Sequence, residues 1–500
     1  MPEIERYDDI VVGSGVSGLT ACLILAQNGR KVLLLEKGPQ IGGSLTRFYR
    51  KGIPFDTGFH FTGGLEKGGM LSEILLVLGI ADKITPVSLS EEKTVQYILE
   101  SENSSFIFPS GIENIKRKFR DYFPTDASAI DAYFDRIRYI CDNTPSMRIS
   151  SIFPRHNYLD EDFVTLESVL DGMTDNPVLK VLLAGLVLCY GVSPKEISFA
   201  NHSRMSFALY ESMARVENGG EAFIKAFKEE FKKYDVTINC GRYIVELTDI
   251  REKKVGRFVM NSGQETECEN CVFTIHPKEI LDILPKEHLR KAFRDRVSSY
   301  ESSSGFFSVF AVLEKEIEEN DYDGTIFALF PDSRMDRLLS SEEKGESAIC
   351  IVKCLERRGD KRFQVLNAFE PSCMDQVKKW KDSRLGARTR DYLDYKRLKT
   401  EEIMERISNC FPEYRESLKI MESASVLTFR DYLNTPDGSA YGIKQKVGQH
   451  NLLGRLPLKN LFAAGQSSLL PGILGAMMSS FIVCRNIIDE DLYGKYLRRG

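Results

Sequence analysis

The sequence predicts an α/β fold: a parallel sheet with its strands scattered along the chain, and a second, α+β lobe inserted between them. Two observations carry this. Near the start, Asp9-Ile10-Val11-Val12-Gly13-Ser14-Gly15-Val16-Ser17-Gly18 gives an apolar strand, a glycine turn and the start of a helix. More than 440 residues later, Leu461-Phe462-Ala463-Ala464 runs into Gly465, and a helix of small residues begins near Gly472. Two strand-glycine-helix units that far apart imply one sheet completed by both ends of the chain.

The elements follow in order. Ile10, Val11 and Val12 suit a strand buried on both faces, and Leu19 to Ala26 read as a helix with Gly29 at its end. Gly13 permits the tight turn, Gly15 lets backbone approach a pyrophosphate, and Gly18 lets helix and strand pack closely. Ser14, Val16 and Ser17 complete a loop whose helix N-terminus favours phosphate. The next strand, Lys31-Val32-Leu33-Leu34-Leu35, ends on Glu36, 18 residues beyond Gly18, where an acid holds a ribose hydroxyl. This is a Rossmann-type dinucleotide site. Lys37 follows the acid, and Gly42-Gly43 supplies a second close backbone approach. Simple nicotinamide domains do not need that pair, whereas a flavin dinucleotide, with its ribityl arm, does. Arg47 is a candidate to neutralise phosphate, with a solvated surface arginine as the plainer alternative.

Beyond Gly63-Gly64 the pattern weakens into a polar, helix-rich stretch. Asn218-Gly219-Gly220 then precedes an amphipathic helix, Glu221 to Tyr234, and strands at 236–238, 243–247, 255–260 and 271–275, the last ended by His276-Pro277. Phe306 to Leu313 and Ala348 to Lys353 read as further strands among charged helices. The expected division is a cofactor domain in three parts (1–75, 215–290 and 416–500) and a substrate domain in two (76–214 and 291–415).

A chain of 500 residues is too long for one ordinary core. Its 42% hydrophobic and 28% charged content are those of a globular protein, and a net charge of −5 gives no electrostatic case for nucleic acid. Eleven cysteines in no framework spacing point to reduced thiols and a cytoplasmic setting. Cys268-x-x-Cys271 has no second pair or histidine cluster, so no metal site is expected. No stretch reaches the ~18 apolar residues of a membrane span. Val178 to Val192, interrupted by Lys180, reads as a buried helix or one that dips into a bilayer.

The carboxy-terminal block, Asn460 to Gln466 followed by Leu470-Pro471-Gly472-Ile473-Leu474-Gly475-Ala476, makes the pattern specific. With Gly13 to Gly18, Glu36, Gly42-Gly43 and Phe55-Asp56-Thr57-Gly58-Phe59-His60-Phe61, the chain resembles the FAD-dependent carotenoid desaturase, carotenoid isomerase and retinol saturase superfamily. The Asp56-x-Gly58-x-His60 stretch is most similar to the retinol saturase branch. The resemblance spans the chain, with sharp motifs only in the nucleotide lobe. It implies a discontinuous Rossmann-type FAD-binding domain with an inserted α+β substrate domain. It further implies that Val245 contacts the adenine side through its backbone, and that the turn Gly472, Ile473, Leu474 aims N–H groups at the flavin pyrimidine edge. Proteins of this type usually carry an aspartate after Gly465; Gln466 stands there instead, an acceptor without charge.

His60, beside the implied flavin, is a candidate for tuning the ring or moving a proton, set against a packed structural histidine. His202 and Tyr441 are weaker catalytic candidates, a core histidine and a pocket wall being the plainer readings. The function implied is an FAD-dependent oxidoreductase or isomerase acting on a long apolar polyene, carotenoid- or retinoid-like, by saturation, desaturation or isomerisation. Its partners would be that lipid, a transient electron donor or acceptor, and a peripheral membrane contact. Two alternatives share the fold: a flavin amine oxidase or protoporphyrinogen oxidase-like enzyme, and a non-enzymatic lipid chaperone resembling the Rab GDP-dissociation inhibitors.

Overall fold

The computed structural model describes residues 4–149, 158–315, 322–339 and 347–499. Its first sheet is built on the strand Glu5–Val12, which lies parallel to Val32–Glu36 on one side and Glu265–Phe273 on the other. Val11 sits between Leu34 and Val272, so side chains on both faces are buried, as an apolar run without alternation requires. Thr237–Cys240 extends the sheet beyond Val32–Glu36. Glu265–Phe273 is shared: its first half pairs antiparallel with the hairpin strand Lys254–Met260, its second half parallel with Leu461–Ala463. One sheet therefore draws strands from the start, middle and end of the chain.

The glycine helix, Val16–Gln27, packs against Gly472–Cys484. Small residues permit close approach at their crossing. The Ser17 and Ser480 hydroxyls lie 2.7 Å apart, and Ser480 Oγ also donates to the Ser17 carbonyl at 2.8 Å. The start of the chain is thus locked to its end by satisfied buried hydroxyls, which would be costly unpaired.

The second sheet has seven strands, ordered Leu418–Ala424, Gly305–Leu313, Lys361–Ser372, Ile349–Arg358, Ile326–Phe330, Val95–Leu99 and Ser104–Phe108. All neighbours are antiparallel except Ile326–Phe330 and Val95–Leu99. The last two strands fall within the stretch read from sequence as helical and poorly patterned. Val95, Tyr97 and Leu99 do alternate, buried, with Gln96 and Ile98, but five residues are too few to outweigh the helices around them.

Of the two readings of Val178 to Val192, burial is correct. Asn176 caps a short helix, Pro177–Ala184, which continues as a 3-10 turn, Gly185–Cys189, and the apolar residues enter the core of the second lobe. Among the described residues, no helix is long and apolar enough to cross a membrane.

Candidate functional site

A cavity of about 1180 Å³ runs from the glycine loop to one face of the second sheet. That exceeds the ~300–1,000 Å³ of ordinary small-molecule sites, leaving room for a dinucleotide and a second ligand.

At the nucleotide end, Gly13 turns the chain at φ +96°, and the helix N-cap is Gly15. A Cβ on Gly15 would meet nothing within 4 Å, while one on Gly18 would lie 1.9 Å from the Gly13 carbonyl oxygen. The first therefore faces open space over a helix N-terminus; the second is a packing contact. Glu36 is held by the loop it faces: its carboxylate accepts from Ser14 N–H at 3.0 Å, from Gly38 N–H at 2.6 Å and from the Ser14 hydroxyl. Gly42 donates its N–H to the Ser14 carbonyl at 3.1 Å, and a Cβ on Gly43 would stand 3.2 Å from the Gly15 Cα. The glycine pair thus presses a second strip of backbone onto the first. Val16, Ser17, Lys37, Val245, Gly465, Gln466, Gly472 and Ile473 also line the cavity. Gly18, Gly42 and Leu474 lie outside its wall, and Leu474 packs against the core of the first lobe. Gly465, at φ +117°, donates its N–H to the Ser479 hydroxyl, tying its turn to the closing helix.

Arg47 is not a free phosphate partner. Its side chain is 3% exposed and forms ion pairs with Asp56, at 2.8 Å, and Glu356. Arg47 and Asp56 face each other across the hairpin Arg47–Arg50 and Ile53–Asp56, so the pairing is set by strand register. Burial pushes the Asp56 carboxyl up to about 7, with the Arg47 charge opposing it.

The far end of the cavity is apolar. Phe306, Ser308 and Phe310, alternate residues of one strand, share its floor with Val352, Phe369 and Ala424. His60 lies over this floor, its ring centroid 4.3 Å from that of Phe369. Burial, reinforced by the Arg47 charge, lowers its pKa to about 3, so the imidazole is neutral at physiological pH. Its Nδ1 is buried with no hydrogen-bond partner among the described residues. Tyr441 forms part of the wall. Its hydroxyl donates to the Leu188 carbonyl at 3.1 Å, its ring meets Phe306 edge-on, and burial holds its phenol well above its usual range.

His202 is not in the site. It sits within the second lobe, with the Tyr133 hydroxyl 2.6 Å from Nε2 and the Tyr190 hydroxyl 2.6 Å from Nδ1. Burial lowers its pKa to about 3, so it is a neutral core residue with both ring nitrogens satisfied. Cys268 and Cys271 are likewise buried thiols in a strand, and no group of metal-ligating side chains occurs among the described residues. Sequence reasoning missed the aromatic floor and Thr274, whose hydroxyl donates to the carbonyls of Val12 and Gly13 at 3.0 Å each. The Phe306-x-Ser308-x-Phe310 alternation was the available signal for the floor.

Comparison with known proteins agrees with this geometry. Residues 11–75 match the NAD(P)-binding Rossmann-like domain family. The all-trans-retinol 13,14-reductase of Macaca fascicularis is 24% identical, in an alignment covering 98% of this chain and 87% of that protein. The chloroplastic prolycopene isomerase of Daucus carota is 23% identical over 97% of this chain and 80% of its own length. Over nearly its whole length the chain is thus similar to proteins named for retinol reduction and for carotenoid isomerisation. Among solved structures, a double mutant of putrescine oxidase superposes with a TM-score of 0.67 at 14% identity, covering 98% of this chain and 99% of that one. At that identity the likeness speaks for the fold, and the two-lobed α/β architecture is common to both.

Proposed function

We propose that the protein binds FAD and acts as an oxidoreductase or isomerase on an apolar polyene of the retinoid or carotenoid class. One observation carries the reading: the nucleotide cradle and the phenylalanine-lined chamber are a single continuous cavity. The retinol reductases and the Daucus carota prolycopene isomerase that align along nearly the whole chain are named for polyene chemistry, which supports the same substrate class.

The residues present fit the cofactor. The open space over Gly15 at a helix N-terminus suits a pyrophosphate, and Glu36, fixed by Ser14 and Gly38, is placed for the adenosine ribose. The second glycine strip and the Gly465 to Ile473 turn complete the cradle. Bound flavin supplies hydride transfer at carbon without a metal. The chain itself supplies position and dryness. Phe306, Phe310 and Phe369 exclude water from an extended hydrocarbon and give its π-system flat and edge contacts. His60 acts as a neutral imidazole, a hydrogen-bond partner with no cationic charge, and the Tyr441 phenol keeps its proton while donating a hydrogen bond to the Leu188 carbonyl. The acid at the floor, Glu422, is paired to Arg50 and Lys396.

The test is anaerobic incubation of the FAD-loaded, chemically reduced protein and of the oxidised protein with all-trans-retinol and with a poly-cis carotenoid. Mass analysis reads the outcome directly: a gain of two hydrogens is saturation, a loss is desaturation, and an altered retention time at equal mass is isomerisation. Oxidation of a diamine with every polyene untouched would overturn the reading in favour of an amine oxidase.

A further inference from the structure

The far end of the cavity is apolar along its floor but not at its edge. Glu422 stands two residues before Ala424 on the edge strand Leu418–Ala424 and pairs in register with Phe310, so the phenylalanine floor runs directly into a carboxylate. Around that carboxylate the cavity is lined by Arg50, Lys396 and Arg388. Arg388 is committed elsewhere: it pairs with Asp431 and donates to the Ser383 carbonyl at 2.6 Å. Arg50 and Lys396 share Glu422. The arginine holds it with two N–H groups, at 2.9 and 2.8 Å, while the lysine reaches it only at 3.6 Å.

Two cations on one carboxylate leave one positive charge in excess. It falls on Lys396, whose side chain is 18% exposed. Burial pushes this ammonium below the usual lysine range, with Glu422 opposing and Arg50 and Arg388 adding to the push. A partly desolvated ammonium crowded by other cations gains from a further anion. A pure hydrocarbon in the chamber would exclude water from Lys396 without giving it a charge partner, which is unfavourable.

We propose that Lys396, with Arg50, binds a carboxylate at one end of the ligand, so that the substrate is a polyene acid lying across the phenylalanine floor with its anionic end at Lys396. One excess positive charge matches a monoanion, whereas a phosphate monoester carries close to two negative charges. The proposal rests on the polyene reading for the nature of the chain, but the carboxylate site is tested by binding without turnover.

The experiment is equilibrium dialysis of the FAD-loaded protein, near pH 7.5, against all-trans-retinoic acid, its methyl ester and retinyl phosphate. A charge-assisted contact of this kind is worth about tenfold in affinity or more. The acid is therefore expected to bind about tenfold more tightly than the ester. Lys396→Met should abolish that preference and leave ester binding unchanged, which also shows that the variant is folded. Glu422→Gln, which releases both cations from their shared acid, should act in the opposite sense: the acid binds several-fold more tightly and the ester as before. Equal binding of acid and ester, or no binding of the acid, would overturn the proposal. So would tighter binding of retinyl phosphate than of the acid, or equal weakening of acid and ester in Lys396→Met with no gain in Glu422→Gln. Palmitate held with the same dependence on Lys396 by a protein inert toward polyenes would uphold the carboxylate site and overturn only the polyene reading.

Discussion

Replacing Gly15 and Gly18 separately by alanine divides what the glycine loop does for the cofactor from what it does for the fold. Gly15 has φ −61° and ψ 173°, a conformation open to any residue, and its added Cβ would meet nothing within 4 Å. Gly15→Ala should therefore leave stability unchanged or raise it by up to about 1 kcal/mol, through the unfolded chain. The added methyl occupies the space a pyrophosphate needs against the helix N-terminus. Displacing the phosphate from one or two charge-assisted hydrogen bonds costs about 3 kcal/mol, or roughly 100-fold in Kd for FAD. Gly18→Ala behaves oppositely: its Cβ would lie 1.9 Å from the Gly13 carbonyl oxygen, so strand and helix must part. Overpacking of that kind costs about 1–3 kcal/mol or more. The assay pairs thermal melting of the apoproteins with titration of FAD fluorescence quenching. Unaltered FAD affinity in Gly15→Ala, or parallel loss of stability and affinity in both variants, would refute the division of roles.

Three further outcomes are expected. Arg47→Ala leaves Asp56 and Glu356 buried without their cation and should lower unfolding free energy by about 3–5 kcal/mol in denaturant titration; a loss below about 1 kcal/mol would count against a buried ion-pair cluster. His60 and His202 both have folded-state pKa values lowered to about 3, so their stability is full above about pH 6.5 and falls as pH drops from there toward 3. At pH 5 each should cost about 2 kcal/mol relative to pH 7.5, visible as a falling Tm whose fall is reduced, but not abolished, in His202→Gln. The same shift predicts that the pH profile of kcat between 5 and 8 is alike for the unsubstituted protein and His60→Gln, and a step near pH 6.5 that vanishes in the variant would restore His60 as a proton carrier.

The nucleotide end was legible because its constraints are local. A turn at positive φ, a helix N-terminus and an acid at fixed spacing write themselves into short runs: Gly13 to Gly18 with Glu36, Gly42-Gly43 and Gly465 to Gly475. Arg47, His202 and the chamber were not legible because their environment comes from residues far away in sequence. Arg47 looked available until strand register placed Asp56 opposite it and the second sheet brought Glu356. His202 was a weaker catalytic candidate beside the plainer core reading, and only the fold shows Tyr133 and Tyr190 closing on both its nitrogens. Val95–Leu99 joined the second sheet by pairing with Ile326–Phe330, more than 200 residues away, and carried Ser104–Phe108 with it as the edge strand.

By itself, then, the sequence determined a discontinuous Rossmann-type lobe with its glycine turns, since backbone sterics at a few glycines restrict what the chain can do there. Only the tertiary structure decided which titratable groups are free. Burial neutralises His60, commits Arg47 to carboxylates and withdraws His202 into the core, because desolvation and pairing depend on which distant side chains arrive beside each group.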